Sequence, residues 1–253
     1  MTKLERYGAV FDESTDWFEF LRRAARGQPS AYGLARDLDT RAALGDLYEA
    51  LQGTPMQSAM ASTALTLFET GIREERDLMR AIPMEEAPGA KARLLRLLEQ
   101  DHDRLTTRDV TSVLHDLLEK NLGDPEVAAA LQRELERPDS KVDDLGLAAR
   151  HLPDWFIKNL PLLRPPPPIE GGEFVCWLIR VPEDKRVAFL DSLAALGKPY
   201  VDALIADHLG SRDVEFFRQR DRPFLEAHPV FRQALAEALK EPPTPPDPRR
   251  SIP

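Results

Sequence analysis

The sequence predicts an all-α protein, and three observations carry that reading. Apolar residues recur at i, i+3, i+4 and i+7 along most of the chain, the stripe that a helix buries. A glycine–x–proline punctuation separates the stretches: Gly53-Thr54-Pro55, Gly123-Asp124-Pro125 and Gly197-Lys198-Pro199, with Gly27-Gln28-Pro29 alike. The apolar run FVCWLIRV, at 174–181, has β-branched residues but no second strand to pair with, and a lone strand leaves its backbone groups unsatisfied.

The first helix is expected over 16–26, with Trp17, Phe18, Phe20, Leu21, Ala24 and Ala25 on one stripe and Gly27 at a left-handed cap. The second, 40–52, carries Ala43, Leu44, Leu47, Tyr48 and Leu51. Helices over 56–70, 73–81 and 89–100 follow. Residues 107–121 then place Val110, Val113, Leu114, Leu117 and Leu118 on one face. Helices over 125–136, 142–151 and 154–160 complete this part. In each corner glycine ends a helix because it tolerates positive φ. Proline opens the next because its missing N–H would be unpaired there in any case. Thr54 and Asp124 offer side-chain oxygens as N-caps. Corners this short make consecutive helices neighbours. The last three triplets lie about 70 residues apart, the spacing of two helix pairs of roughly 34 residues. The intervening sequence has no matching consensus. The expected architecture is therefore an irregular multi-helix array, with a short degenerate α-solenoid as the sharper alternative.

LPLLRPPPPIEGGEF, at 160–174, interrupts the pattern. Four prolines favour stiff polyproline II, which would put Leu160, Leu163, Pro166 and Ile169 on one side. The segment is expected to be an ordered strap against the helices, with any hinge at Gly171 and Gly172. Beyond it, helices are expected over 173–180, 183–196, 199–209, 211–219 and 229–240. Phe174, Trp177, Leu178 and Val181 keep helical spacing, so FVCWLIRV is read as a helix apolar nearly all round and central to its domain. The expected organisation is a helical domain over 1–160, a proline-rich connector over 161–172, a helical bundle over 173–241 and a proline-rich, extended tail over 242–253.

The net charge of −9 argues against broad binding to nucleic acid or anionic membranes. One cysteine, Cys176, excludes an intrachain disulfide and fits a reducing compartment. The N-terminal stretch MTKLERYGAV lacks the apolar core of a signal peptide, and no apolar run approaches a membrane span. A cytoplasmic location is expected. Arginine over lysine, with plentiful alanine, leucine and proline, is the usage of GC-rich bacterial genomes.

Chemistry is sparse. Glu99 and His102 form an E-x-x-H pair, the spacing that dinuclear carboxylate proteins use, but no second copy accompanies it, and an exposed helix end is the expected setting. His115 and Asp116 fall on a polar face. His151 sits in the last turn before Pro153, where positive charge suits the helix dipole. His208 shares the apolar face of Val201 and Leu209 and is expected to be a hydrogen-bonded core or interface histidine. Cys176, within the most apolar helix, is expected to be buried and inert. There is no H-E-x-x-H, G-x-S-x-G, phosphate-binding glycine loop or paired C-x-x-C. No catalytic residue, cofactor or metal is expected.

YVDALIADHLGSRDVEFFRQRDRPF reads as helix, short turn at Leu209-Gly210, helix, and resembles the helix-turn-helix outline of many bacterial repressors. Arg212, Arg218, Arg220 and Arg222 would be its nucleic-acid contacts. The turn is about two residues short for that class, and Asp207, Asp213, Glu215 and Asp221 interleave with the arginines. Aromatic residues cluster at Trp17, Phe18 and Phe20, at Trp155-Phe156 and at Phe216-Phe217, and adjacent rings cannot all enter one stripe; Trp17, Trp155, Phe156, Phe216 and Phe217 are singled out. They are the candidate surface of a non-enzymatic protein-interaction module: a cytosolic adaptor, scaffold or regulatory subunit whose partner is another protein. A DNA-binding regulator using 199–222 and a helical metal protein or enzyme using Glu99, His102 or His208 are the alternatives.

Overall fold

The computed structural model describes residues 11–27, 40–163, 173–210 and 214–240. Among the described residues there are fourteen α-helices and no strand, so the protein is all-α. The chain forms two compact units that divide between Asp143 and Asp144. The first holds α1 (Trp17–Ala25), α2 (Thr40–Ala50), α3 (Pro55–Thr70), α4 (Arg73–Met79), α5 (Ala90–Gln100), α6 (Thr107–Lys120) and α7 (Pro125–Leu135). The second holds α8 (Gly146–His151), α9 (Pro153–Leu163), α10 (Glu173–Arg180), α11 (Arg186–Leu196), α12 (Lys198–Gly210), α13 (Val214–Ala227) and α14 (Pro229–Ala238).

In the first unit α3 packs against α1, α4 and α5, and α6 packs against α5 and α7. The core follows the expected stripes except at their edges, where Phe18 is exposed and Ala25 and Ala43 are half-buried. Phe20 and Leu21, Leu44 and Leu47, Leu65 and Phe68, and Val113, Leu114 and Leu117 are all buried. The corners have the expected chemistry. Gly53 and Gly123 take φ of 78° and 76°, and Pro55 and Pro125 open α3 and α7. The Asp124 carboxylate accepts from the backbone N–H groups of Glu126 and Val127. Thr54 does not cap α3; its hydroxyl donates back to the Leu51 carbonyl at 2.7 Å. Charged groups tie helices together at depth. Glu75, on α4, takes Arg22 of α1 at 3.0 Å. Asp109 closes a capping box with Thr106 at the start of α6 and receives Arg76 of α4 and Arg80 just past the end of that helix.

In the second unit α10 packs against α8, α12 and α13, the central place its apolar sequence predicts. Its Trp177 meets Phe156 of α9 edge-on at 5.4 Å and Phe174 at 5.2 Å, and Phe156 stacks on Phe189 of α11 at 6.0 Å. Cys176 is exposed, which corrects the expected burial. At 100° per residue, Phe174, Val175, Trp177, Leu178 and Val181 fill one arc, and position 176 falls opposite it.

Two prolines lie inside helices that the sequence pattern ends earlier. α9 continues through Pro161 to Leu163, and α13 continues through Pro223 to Ala227. Leu160 and Leu163 are therefore helical, not the start of an extended strap. The proline run 165–168, the glycines 171–172 and the tail 242–253 lie outside the described residues. α8 packs against α10, and α9 against α11, so both belong with the second unit rather than with a domain ending near residue 160.

Candidate functional site

The aromatic candidates differ in burial. Trp17 is buried, stacked on Phe11 at 5.4 Å and edge-on to Phe20 at 5.7 Å. Phe156 is fully buried and Trp155 half-buried. The side chains of Phe216 and Phe217 lie outside the described residues. Phe18, next to Trp17, is the exposed ring of that pair, with the Arg22 guanidinium 5.4 Å from its centroid.

Of the arginines assigned to a DNA-binding reading, Arg212 and the Arg218 side chain lie outside the described residues. Arg220 and Arg222 are exposed, and Arg222 pairs with Glu226 one turn on at 2.6 Å. Asp221 turns inward from α13 to meet His208 of α12, Oδ2 to Nδ1 at 3.0 Å, with both side chains buried. His208 is thus a hydrogen-bonded core histidine. Arg186 of α11 covers the Phe224 ring at 4.7 Å.

An apolar groove runs between α12 and α14. Ala194, Val201, Val230 and Ala234 form its floor and walls. Lys198, Asp202, Gln233 and Glu237 form its rim, around a space of about 290 Å³. Its origin is local. α14 buries Phe231 and Leu235, and one step round the helix Val230, Gln233, Ala234 and Glu237 form a second stripe at i, i+3, i+4 and i+7. Alanine at 234 leaves a hollow, and Val230 is 45% exposed beside it. Lys198 pairs with Asp202 on α12 at 2.8 Å, and Gln233 donates to Glu237 on α14 at 2.9 Å, so each rim is held by an i,i+4 contact.

In the first unit a larger cleft of about 420 Å³ opens between α5 and α7, lined by Leu95, Leu98, Glu99, Ala130, Glu134 and Arg137 among others. Its mouth is charged. Glu99 stays exposed, but His102 does not, which corrects the expected exposed helix end. A short 3₁₀ turn, His102–Arg104, carries the ring inward until it is only 3% exposed. The ring does not pair with Glu99. Its Nε2 meets Oε1 of Glu134 at 3.0 Å, and that oxygen also accepts the Lys141 N–H at 2.8 Å. Glu134 occupies the inward stripe of α7 with Val127, Ala130 and Leu131. His115 lies on the exposed face, 3.3 Å from the Asp116 carboxylate.

No family model, curated protein or solved structure matches this chain. Among the described residues, no helix is long and apolar enough to cross a membrane. Local spacing in the sequence did not single out Glu134 or the groove residues. Only the second stripe on α14 left a readable signal, because a groove needs two helices and its depth depends on how they pack.

Proposed function

We propose that the chain is a non-enzymatic, cytosolic protein-interaction module, an adaptor, scaffold or regulatory subunit that takes up a segment of another protein. The groove between α12 and α14 supports this reading: an apolar floor, an exposed valine and a rim of charged and amide side chains. At about 290 Å³ it lies at the lower edge of small-molecule pockets, and it suits one or two anchoring side chains of a helix laid along it. Asp202 and Glu237 on the rim, on a chain of net charge −9, favour an occupant with basic residues flanking its apolar anchor.

A photo-cross-linking residue placed at Val230 in cells of the native host tests this. The expected result is a discrete adduct with another protein, lost on Ala234→Arg and absent when the cross-linker sits at exposed Lys158. Cross-linking that is equal at Val230 and Lys158, or unchanged by Ala234→Arg, defeats the reading. An adduct of twice the chain mass replaces the foreign partner with a second copy of this chain.

A further inference from the structure

Three carboxylates stand near the His102 ring: Glu134, Asp103 and Asp139. A carboxylate accepts hydrogen bonds, so His102 Nε2 donates to Glu134, and in the neutral ring Nδ1 then carries the lone pair. That nitrogen is buried and has no hydrogen-bond partner. It faces two further carboxylates, Oδ1 of Asp103 at 3.9 Å and Oδ2 of Asp139 at 3.7 Å. A lone pair turned toward two negative oxygens is repulsive unless something positive lies between them. Both separations are too long for hydrogen bonds. They are close to what a shared metal ion imposes, because ligands about 2.1 Å from one zinc ion stand roughly 3.4 Å apart at the tetrahedral angle. The three ligand atoms lie within 4.8 Å of one another.

The surrounding groups brace this arrangement. The other oxygen of Asp139 lies 3.5 Å from Arg137 Nε. Lys141 Nζ donates to the carbonyls of His102 and Leu105 at 2.7 and 2.8 Å, pinning the turn that carries the ring. A carboxylate receiving the far N–H of an imidazole is the arrangement that orients metal-bound histidines, and Glu134 stands in that place.

We propose that His102 Nδ1, Asp103 and Asp139 bind a divalent transition-metal ion of the zinc class, with Glu134 as the positioning residue for the histidine. Imidazole selects zinc-like ions over magnesium or calcium, which prefer all-oxygen sets. Both carboxylates are exposed, so water completes the coordination. The ion clamps the segment after α7 onto the turn after α5, beside the cleft that Glu134 lines.

Zinc titration of the untagged full chain, by calorimetry and by competition with a chromophoric chelator, tests this. Asp103→Asn and Asp139→Asn alter exposed groups, and circular dichroism confirms that each variant stays folded. One zinc per chain at micromolar or tighter affinity is expected, unchanged in Cys176→Ser and weakened at least tenfold in either aspartate variant. Zinc should also shift the Nδ1 resonance of His102 in nitrogen-15 spectra of the wild type. Failure to bind zinc in the micromolar range overturns the proposal. Binding that survives Asp103→Asn/Asp139→Asn, or that disappears in Cys176→Ser, overturns it equally.

Discussion

Glu85 illustrates how a single side chain sets a pH dependence. It lies in the short 3₁₀ turn Met84–Glu86, half-buried. Burial raises its carboxyl above the ordinary value of 4.5; its own backbone N–H and Lys120 oppose the rise, and Asp116 and Glu86 add to it. The folded protein therefore holds this proton to a higher pH than the unfolded chain does. Between 4.5 and the raised value the folded state binds more protons, so stability falls as pH rises through that window. Glu85→Gln removes the penalty. Its melting temperature should exceed that of the wild type at pH 7 and match it near pH 4. A gain that persists at pH 4 would point to packing rather than charge. His102 and Cys176 mark the limit of reading single residues from the sequence. Cys176 sits in an apolar run, but its angular position faces it outward, a result that helical phase alone can give. His102 turns inward because of Glu134, which lies on another helix and is invisible to local spacing.

At the scale of elements, the corners were legible because their chemistry is local. Gly123 adopts φ of 76°, and a Cβ added there would meet nothing within 4 Å. Gly123→Ala therefore creates no clash, and its whole cost is backbone strain in the left-handed region. A loss of about 1 kcal/mol in urea denaturation is expected. A neutral result would show that the α6–α7 corner relaxes freely. Helix ends were less legible where proline intervened. Proline lacks an N–H and usually terminates a helix, yet α9 and α13 continue through Pro161 and Pro223. Packing supplies what propensity lacks. α9 is anchored by buried Phe156 and Leu160 just before its proline, and α13 by Asp221 and Leu225 on either side of Pro223. Such anchoring depends on contacts with other helices, so the local sequence understates how far these helices run.

At the scale of the whole molecule, the all-α class followed from periodicity and punctuation, whereas the division of the chain did not. The proline run at 165–168 is the most conspicuous break in composition, and composition places the boundary there. The contacts place it between Asp143 and Asp144, because α8 and α9 bury their apolar faces on α10 and α11. Phe156 is decisive. It is fully buried, touches Trp177 edge-on and stacks on Phe189. A fragment that begins at residue 173 would expose both partner rings and lose an aromatic cluster at its centre. Burying each large aromatic side chain is worth about 1.5–3 kcal/mol, a substantial share of the stability of so small a bundle. Residues 144–240 should therefore unfold cooperatively on heating, whereas residues 173–240 should melt without a sharp transition and bind a hydrophobic dye. Circular dichroism and dye fluorescence on the two fragments decide the matter. A sharp transition in the shorter fragment would mean that α10 to α14 form a sufficient core and that α8 and α9 only cover it.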